Sequence, residues 1–210
     1  MTTYYGDRQH YRWRQMTDEQ RAVTMNYRRQ HRLPKHSPAH YDSESGLYLV
    51  TAACFEHHPI IGQSMERMVD FERLLLETCV ANEWHVFAWV ILPNHYHLLL
   101  RARDAKAMIR SLGSLHGRTS HQWNGEEDRR GRKVWFNSME TGIRSERHFW
   151  ASLLYVLNNA VKHRYVTRWQ DWPFCNASDW LETIGRERAL MMWKEYPIHD
   201  FGKDWDLPDL

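Results

Sequence analysis

The segment WHVFAWVILPNHYHLLLR, residues 84–101, is the strongest structural signal in the sequence. It contains two runs, Trp84 to Leu92 and His95 to Arg101, that have the length and apolar character of buried strands. Pro93 and Asn94 stand between them, and both residue types end strands and form turns. The segment therefore predicts two buried strands joined by a tight turn.

The flanking sequence extends this pair into a split βαβ pattern. Upstream, Gly46 to Cys54 is predicted as a buried strand, and Ser64 to Ala81 as a helix with apolar residues every three or four positions. Downstream, a helix is predicted from Lys106 to about Trp123 and a fourth strand from Lys133 to Met139. This order is that of an α+β, ferredoxin-like antiparallel sheet with helices on one face. The other face is predicted to stay free for a third helix, from about Ser145 to His163.

The length and composition of the chain indicate one globular domain with an added arm. The chain has 210 residues, of which 42% are hydrophobic and 26% are charged, which excludes a disordered chain. The longest apolar run, Val86 to Leu92, is far shorter than the roughly 20 residues of a membrane span. The start, Met1 to His10, is polar rather than signal-like, so we expect a cytoplasmic protein without a membrane partner. Three regions are predicted: an arm and linker at 1–45, a main domain at 46–178 and a tryptophan-containing tail at 179–210.

The predicted arm is basic. Up to Tyr41 it contains eight arginines and lysines against three carboxylates. Thr17 and Gln20 have the spacing of a capping box, which predicts a short helix through Arg29. This helix either contacts phosphates or is an ordinary solvated surface, because a run of charge is compatible with both.

His95 and His97 form the first candidate site. Alternate residues of a strand point to the same side, so the two imidazoles lie on one face with Cα atoms about 7 Å apart. Imidazole is a ligand for manganese, zinc, iron and similar ions, and the pair would be half of a metal site. The alternative is a pair of hydrogen-bonded histidines without a metal.

The third predicted helix has an apolar and a polar side. The apolar side would pack on the sheet and comprises Trp150, Leu153, Leu154, Leu157 and Val161. The polar side comprises His148, Ser152, Tyr155 and Asn159, at steps of four, three and four. Asn159 could complete a three-ligand metal site, and Tyr155 could be a nucleophile beside the ion. The alternative for Tyr155 is an amphipathic surface tyrosine.

Two motifs give the sequence a family resemblance. LPNHYHLLL at 92–100, followed by YVLNNAVK at 155–162, resembles the paired signature of single-tyrosine HUH transposases. The strand 47–51, Trp135-Phe136 and Asp171-Trp172-Pro173 resemble the branch known as REP-associated tyrosine transposases. The resemblance covers 46–178. Two positions depart from the branch pattern. The branch often has methionine at the position of Leu92 and proline at the position of Ala160.

The resemblance implies a catalytic domain whose tyrosine helix packs against the sheet. It implies His95, His97 and Asn159 as ligands of Mg²⁺ or Mn²⁺, and Tyr155 as a nucleophile that cuts single-stranded DNA near a hairpin. The product would be a free 3′-hydroxyl and a 5′-phosphotyrosine, which a second 3′-hydroxyl can attack. Manganese is the favoured activator because magnesium prefers oxygen ligands. The proton acceptor stays open among metal-bound water, His148 and His163.

The implied partner is single-stranded hairpin DNA, bound by a monomer or a homodimer. Cations that could contact its phosphates are Arg28, Arg29, Arg101, Arg103, Lys106, Arg130 and Arg132. The tail tryptophans either stack on bases or pack the tail onto the core. Three other functions stay open: a hairpin-binding regulator without catalysis, a metal hydrolase of small phosphoesters, and an RNA-recognition domain.

Overall fold

The computed structural model describes residues 17–30, 43–198 and 201. The chain divides into two compact units, Met1–Tyr41 and Asp42–Leu210. In the first unit, helix α1 covers Asp18–Gln30. The Thr17 amide donates to Gln20 Oε1 at 3.0 Å, and the Gln20 amide donates to Thr17 Oγ1 at 3.2 Å. The predicted capping box therefore forms and satisfies two amide groups that the first helical turn leaves open.

The second unit is an α+β domain around a four-stranded antiparallel sheet. Its strands are β1 (Leu47–Ala53), β2 (His85–Leu92), β3 (His95–Arg101) and β4 (Met139–Gly142), in the spatial order β2-β3-β1-β4. Its helices are α2 (Met65–Ala81), α3 (Ala105–Glu126), α4 (Glu146–Leu157), α5 (Asn159–Lys162), α6 (Ala177–Ile184) and α7 (Arg186–Glu195). The predicted ferredoxin-like split βαβ order is confirmed. None of the described helices is long and apolar enough to span a membrane.

The fourth strand begins where the sequence suggested that it would end. We expected Lys133 to Met139, but the segment before Met139 makes only an isolated bridge between Trp135 and Cys54. The apolar character of this segment has another cause, because Trp135 packs in the core against Phe71 at a ring separation of 5.3 Å. The segment is apolar because it is buried in the core, and it does not pair along a strand ladder. Its apolar character therefore led to the wrong prediction of a strand.

Both faces of the sheet are covered. Helices α2 and α3 pack on the face that carries Tyr48 and Tyr96. Helix α4 packs on the face that carries Leu49 and Leu99, and the segment from α6 onward contributes aromatic residues to the same cluster. Every residue in 151–157 is buried, so α4 lies between the sheet and other parts of the chain. The polar side predicted for this helix is therefore enclosed rather than open to solvent.

An ion network ties the end of α3 to α2 and to the loop that follows. Glu127 accepts from Arg67 Nη1 at 2.6 Å and from Arg132 Nη1 at 2.8 Å. Arg67 Nη2 also donates to Glu126 at 3.1 Å. The side chains of Arg67 and Glu127 are only 9% and 20% exposed. The hydrogen bond from Arg132, followed by that from Arg67, lowers the pKa of Glu127 from 4.5 to about 2.

Glu127→Gln is expected to lower the free energy of unfolding by about 2 kcal/mol at pH 7, because it removes the charged acceptor of two guanidinium groups. A carboxylate whose pKa is lowered in the folded state stabilises that state above its unfolded pKa of 4.5, and this stabilisation is lost as pH falls towards about 2. Urea denaturation should therefore show a difference from wild type that shrinks below pH 4.5. Glu126→Gln, at a side chain 46% exposed, is the control and should cost less than about 1 kcal/mol. A Glu127→Gln effect that is independent of pH would contradict this interpretation.

Candidate active site

The histidine pair lies in the centre of the sheet. In strand β3, His95 pairs with Ala53 of β1 and Leu92 of β2, and His97 pairs with Thr51 and Val90. The two histidines are two positions apart, so the pleat places both on the face covered by α4. Their ring centroids are 5.0 Å apart, and their exposed fractions are 3% and 0%. The predicted convergence of the two imidazoles is therefore present.

Each imidazole is held through its Nδ1 atom. His95 Nδ1 lies 2.7 Å from Asn94 Oδ1, and His97 Nδ1 lies 2.8 Å from Thr51 Oγ1. The amide nitrogen of Asn94 donates to the carbonyl of His57 at 3.1 Å, which turns its oxygen towards His95. An amide oxygen only accepts, so Nδ1 of His95 carries a proton. Metal-binding histidines are typically oriented by such a hydrogen bond on the nitrogen that does not bind the ion.

Tyr155 and Asn159 lie on this face of the sheet, on a helical segment that is interrupted between them. Ser145 caps α4 by accepting from the His148 amide at 3.1 Å. The single helix predicted to His163 is instead divided at Asn158, whose backbone has φ −90° and ψ 0°. Tyr155 and Asn159 stay on the same side across the break, because they are four residues apart. Asn159 Oδ1 lies 3.1 Å from His95 Nε2, and the Tyr155 ring lies 5.2 Å from the His97 ring.

The donor set of this cluster fits a divalent cation. His95 Nε2 and Asn159 Oδ1 lie 3.1 Å apart, close enough for one cation to contact both atoms. Two imidazoles and an amide oxygen also leave coordination positions open, as a catalytic metal requires. Across the described ranges, no metal-binding group forms from histidine, cysteine and carboxylate side chains alone, so the candidate set depends on Asn159.

Tyr155 lies beside a cation and an aromatic ring. It is 1% exposed. Lys162 Nζ donates to its hydroxyl at 3.5 Å and lies 4.9 Å from its ring centroid. The ring of Phe201 lies 5.6 Å from the Tyr155 ring. Sequence reasoning had not assigned a role to Lys162 or Phe201, although Lys162 follows Tyr155 by seven residues, a spacing that returns to the same helical face.

The two histidines proposed as proton acceptors lie on different sides of the cluster. The His163 ring is 4.9 Å from the His95 ring. The His148 ring is 5.9 Å from Phe201, and its Nδ1 accepts from the Arg144 amide at 3.4 Å. Burial, and then the charge of Arg144, lowers the pKa of His148 from 6.5, so it is neutral at neutral pH.

Within the second unit, the predicted DNA-contacting cations do not form one patch. Arg101 is exposed with its guanidinium 5.8 Å from the Phe87 ring, and Arg103 and Lys106 are exposed just beyond it. Arg101 is the last residue of β3, about 20 Å along the strand from its first residue, His95, and Arg103 and Lys106 follow it.

The remaining predicted cations occur in other surroundings. Arg130 is exposed and donates to the His121 carbonyl at 2.7 Å. Arg132 is largely committed to the ion network with Glu127. Arg29 is exposed on helix α1 of the first unit, and the side chain of Arg28 lies outside the described residues.

Comparison with known proteins supports the fold. No protein-family model matches the sequence, and no curated protein matches it. Among solved structures, the chain is similar to a REP-associated tyrosine transposase bound to a REP hairpin, with a TM-score of 0.53 and 18% identity over 83% of this chain and 94% of that one. A proposed transposase from Deinococcus radiodurans R1 gives a TM-score of 0.38 and 16% identity over 58% of this chain and 88% of that one.

The second unit is thus a ferredoxin-like α+β domain that carries a histidine pair on its central strands and a tyrosine helix across them. Its overall fold is that of the REP-associated tyrosine transposase, so the resemblance in the two motifs is confirmed at the level of the fold.

Proposed function

We propose that this protein is a transposase-like enzyme that cuts and rejoins single-stranded DNA beside a hairpin through a 5′-phosphotyrosine at Tyr155. The observation that carries the proposal is the convergence of His95, His97, Asn159 and Tyr155 on one face of the sheet. Hairpin DNA is proposed as the substrate because the solved structure that shares the fold is bound to a REP hairpin.

In the proposed reaction, the Tyr155 oxygen forms a bond to the scissile phosphorus, and the bond from phosphorus to the 3′-oxygen breaks. The phenol proton leaves to a base, and the departing 3′-oxygen takes up a proton to become a hydroxyl. The phosphodiester energy is kept in the phosphotyrosine, so attack by another 3′-hydroxyl rejoins DNA and restores the phenol. The ammonium of Lys162 beside the phenol oxygen stabilises negative charge that develops on that atom.

Under this proposal, His95, His97 and Asn159 would hold Mn²⁺ or Mg²⁺, which when bound polarises the phosphodiester and stabilises the charge that develops on its oxygens. Manganese is the better match because two of the three ligands are imidazoles. Thr51 and Asn94 keep the two rings oriented through their Nδ1 atoms.

A second candidate is a hairpin-binding protein without catalysis. The observation that favours it is the enclosure of Tyr155, which is 1% exposed and in contact with Phe201. A tyrosine buried in this way reaches a phosphate only after neighbouring groups move. The intact ligand set and the neighbouring Lys162 favour the enzyme instead.

One assay separates the two candidates. Purified protein is incubated with 3′-end-labelled single-stranded hairpins taken from the DNA beside its own gene, with manganese or with EDTA, and resolved on native and denaturing gels. Label that stays on the denatured protein only with manganese supports the enzyme. Hairpin binding without such label supports the regulator, and the absence of both contradicts the proposed function.

Phe201→Ala is expected to raise the single-turnover rate of adduct formation about fivefold, since removing a ring that packs against Tyr155 lowers the cost of exposing the tyrosine by about 1 kcal/mol. Tyr196→Ala is the control, because Tyr196 lies in the same aromatic cluster but packs on Trp150 at 6.1 Å rather than on Tyr155. A slower or unchanged rate in Phe201→Ala would show that the ring does not restrict the tyrosine.

A further inference from the structure

A basic cavity lies outside the cluster of histidines, asparagine and tyrosine. Its volume is about 730 Å³, within the range of cavities that hold small ligands. Four cations line it: Arg129, Arg130, Arg132 and Lys133. No carboxylate is among the described residues that line it. The cavity therefore favours an anion.

The four cations contribute to the cavity in different ways. Arg132 is paired with Glu127 and is bonded to Asn124 Oδ1 at 2.9 Å, so it forms part of the wall. Arg130 donates to a backbone carbonyl, which is neutral, so its positive charge is not offset. Arg129 and Lys133 are exposed. These last two are the cations best placed to meet a ligand from solvent.

The cavity also has an aromatic wall. Phe55 lines it and is partly exposed, and its ring lies 5.0 Å from the ring of Phe136. Lys133 Nζ lies 4.6 Å from the Phe55 centroid and 5.4 Å from that of Phe136. Cationic grooves interleaved with aromatic rings are the features by which proteins bind unpaired nucleic acid, because the backbone is anionic and every base has a flat face.

The chain connects this cavity to the histidine pair. Phe55 follows β1 by two residues, and the last residue of β1, Ala53, pairs with His95. Asn94 joins the two places, because its side chain bonds both His95 Nδ1 and the His57 carbonyl. The cavity and His95 therefore lie at the same end of the sheet.

We propose that this cavity binds unpaired nucleotides that flank the hairpin, with Arg129 and Lys133 on backbone phosphates and Phe55 against a base. The inference deepens the proposed function and rests on it. It assigns contact with the single strand to the loop after α3, rather than to Arg101, Arg103 and Lys106 at the other end of β3.

The test compares three labelled hairpins with the same stem: one with a 5′ unpaired extension, one with a 3′ unpaired extension and one with none. Affinity is measured by fluorescence anisotropy at several salt concentrations, for wild type and for the double variant Arg129→Ala/Lys133→Ala. Both residues are exposed, so the variant is expected to fold. Arg110→Ala/Arg118→Ala removes the same charge from exposed positions of α3 and is the matched control.

The double variant is expected to lose about tenfold in affinity for one of the extended hairpins and less than twofold for the hairpin without an extension. The salt dependence for that extended hairpin should fall by about 1.4 in slope, or about 0.7 for each single-strand phosphate contact removed. The control should change affinity for all three hairpins by the same factor. Phe55→Leu should weaken the same extended hairpin without changing the salt slope, because it alters stacking and keeps the charge.

Two results would overturn the inference while leaving the proposed function in place. One is an equal loss for hairpins with and without an extension, and the other is no loss for any of them while wild type still binds. A wild-type protein that binds none of the three hairpins would overturn the proposed function together with the inference.

Discussion

Replacing Tyr155 with phenylalanine is expected to abolish the covalent protein–DNA product, with a fall in adduct formation of at least about a thousandfold. The substitution removes one oxygen and keeps the ring, so the contacts with His97 and Phe201 remain. The loss would therefore be one of chemistry and not of packing. Single-turnover incubation with labelled hairpin and manganese, followed by a denaturing gel, measures it.

The same variant should keep hairpin affinity within about twofold of wild type, because no binding cation is changed. Tyr165→Phe is the matched control, since Tyr165 is 44% exposed and packs on Trp172 at 5.2 Å. It should form adduct at the wild-type rate. Full adduct formation by Tyr155→Phe would mean that another side chain is the nucleophile.

The second large effect is expected for His97→Gln, which should lower the rate of adduct formation about a hundredfold or more at saturating manganese. His97 is fully buried, and Thr51 holds its Nδ1 atom at 2.8 Å. Glutamine removes the imidazole nitrogen from the candidate ligand set, and loss of one ligand weakens both metal affinity and the stabilisation of charge on the phosphate. A manganese titration of the adduct rate checks it.

Another buried histidine, His116, is the control that distinguishes a loss of catalysis from a loss of stability. His116 lies on the other face of the sheet, where the Tyr96 hydroxyl is 3.0 Å from its Nε2 and burial lowers its pKa to about 3. His116→Gln should lower the melting temperature and leave the manganese dependence of the rate unchanged. If His97→Gln behaves like His116→Gln, the histidine pair is structural and the proposed metal site is wrong.

The central part of the fold could be predicted from local pattern. The run of residues 84–101 has the length and apolar character of two buried strands and a turn between them, and the strand period alone places His95 and His97 on one face. The four-residue step from Tyr155 to Asn159 likewise survives the break at Asn158, because a tight turn continues the helical path. These features depend on neighbours in sequence.

Other features depend on contacts that sequence spacing does not reveal. Phe201, far along the chain, lies 5.6 Å from the buried Tyr155 ring, and Trp180 and Trp193 pack against the same cluster. This packing favours a structural role for those two tail tryptophans. Thr51, the partner of His97 Nδ1, is 46 residues away in sequence and is brought to it by the register of β1 and β3.

Charge was the least informative pattern. Arg132 and Arg130 were both predicted to contact DNA on their charge alone, but one is paired with a carboxylate and the other is bonded to a carbonyl. Lys133 differs from its neighbours because it lies over two aromatic rings at the edge of a cavity. That distinction required the tertiary structure.

The most direct measurement is to map the atom that holds the DNA. The protein is allowed to react with a hairpin in manganese, the DNA is digested with nuclease, and tryptic peptides are sequenced by mass spectrometry. The proposed function predicts a nucleotide phosphate on the peptide of residues 148–162, HFWASLLYVLNNAVK, which contains Tyr155 as its single tyrosine. A phosphate linked to any other residue, or cleaved DNA without any linked peptide, would contradict it.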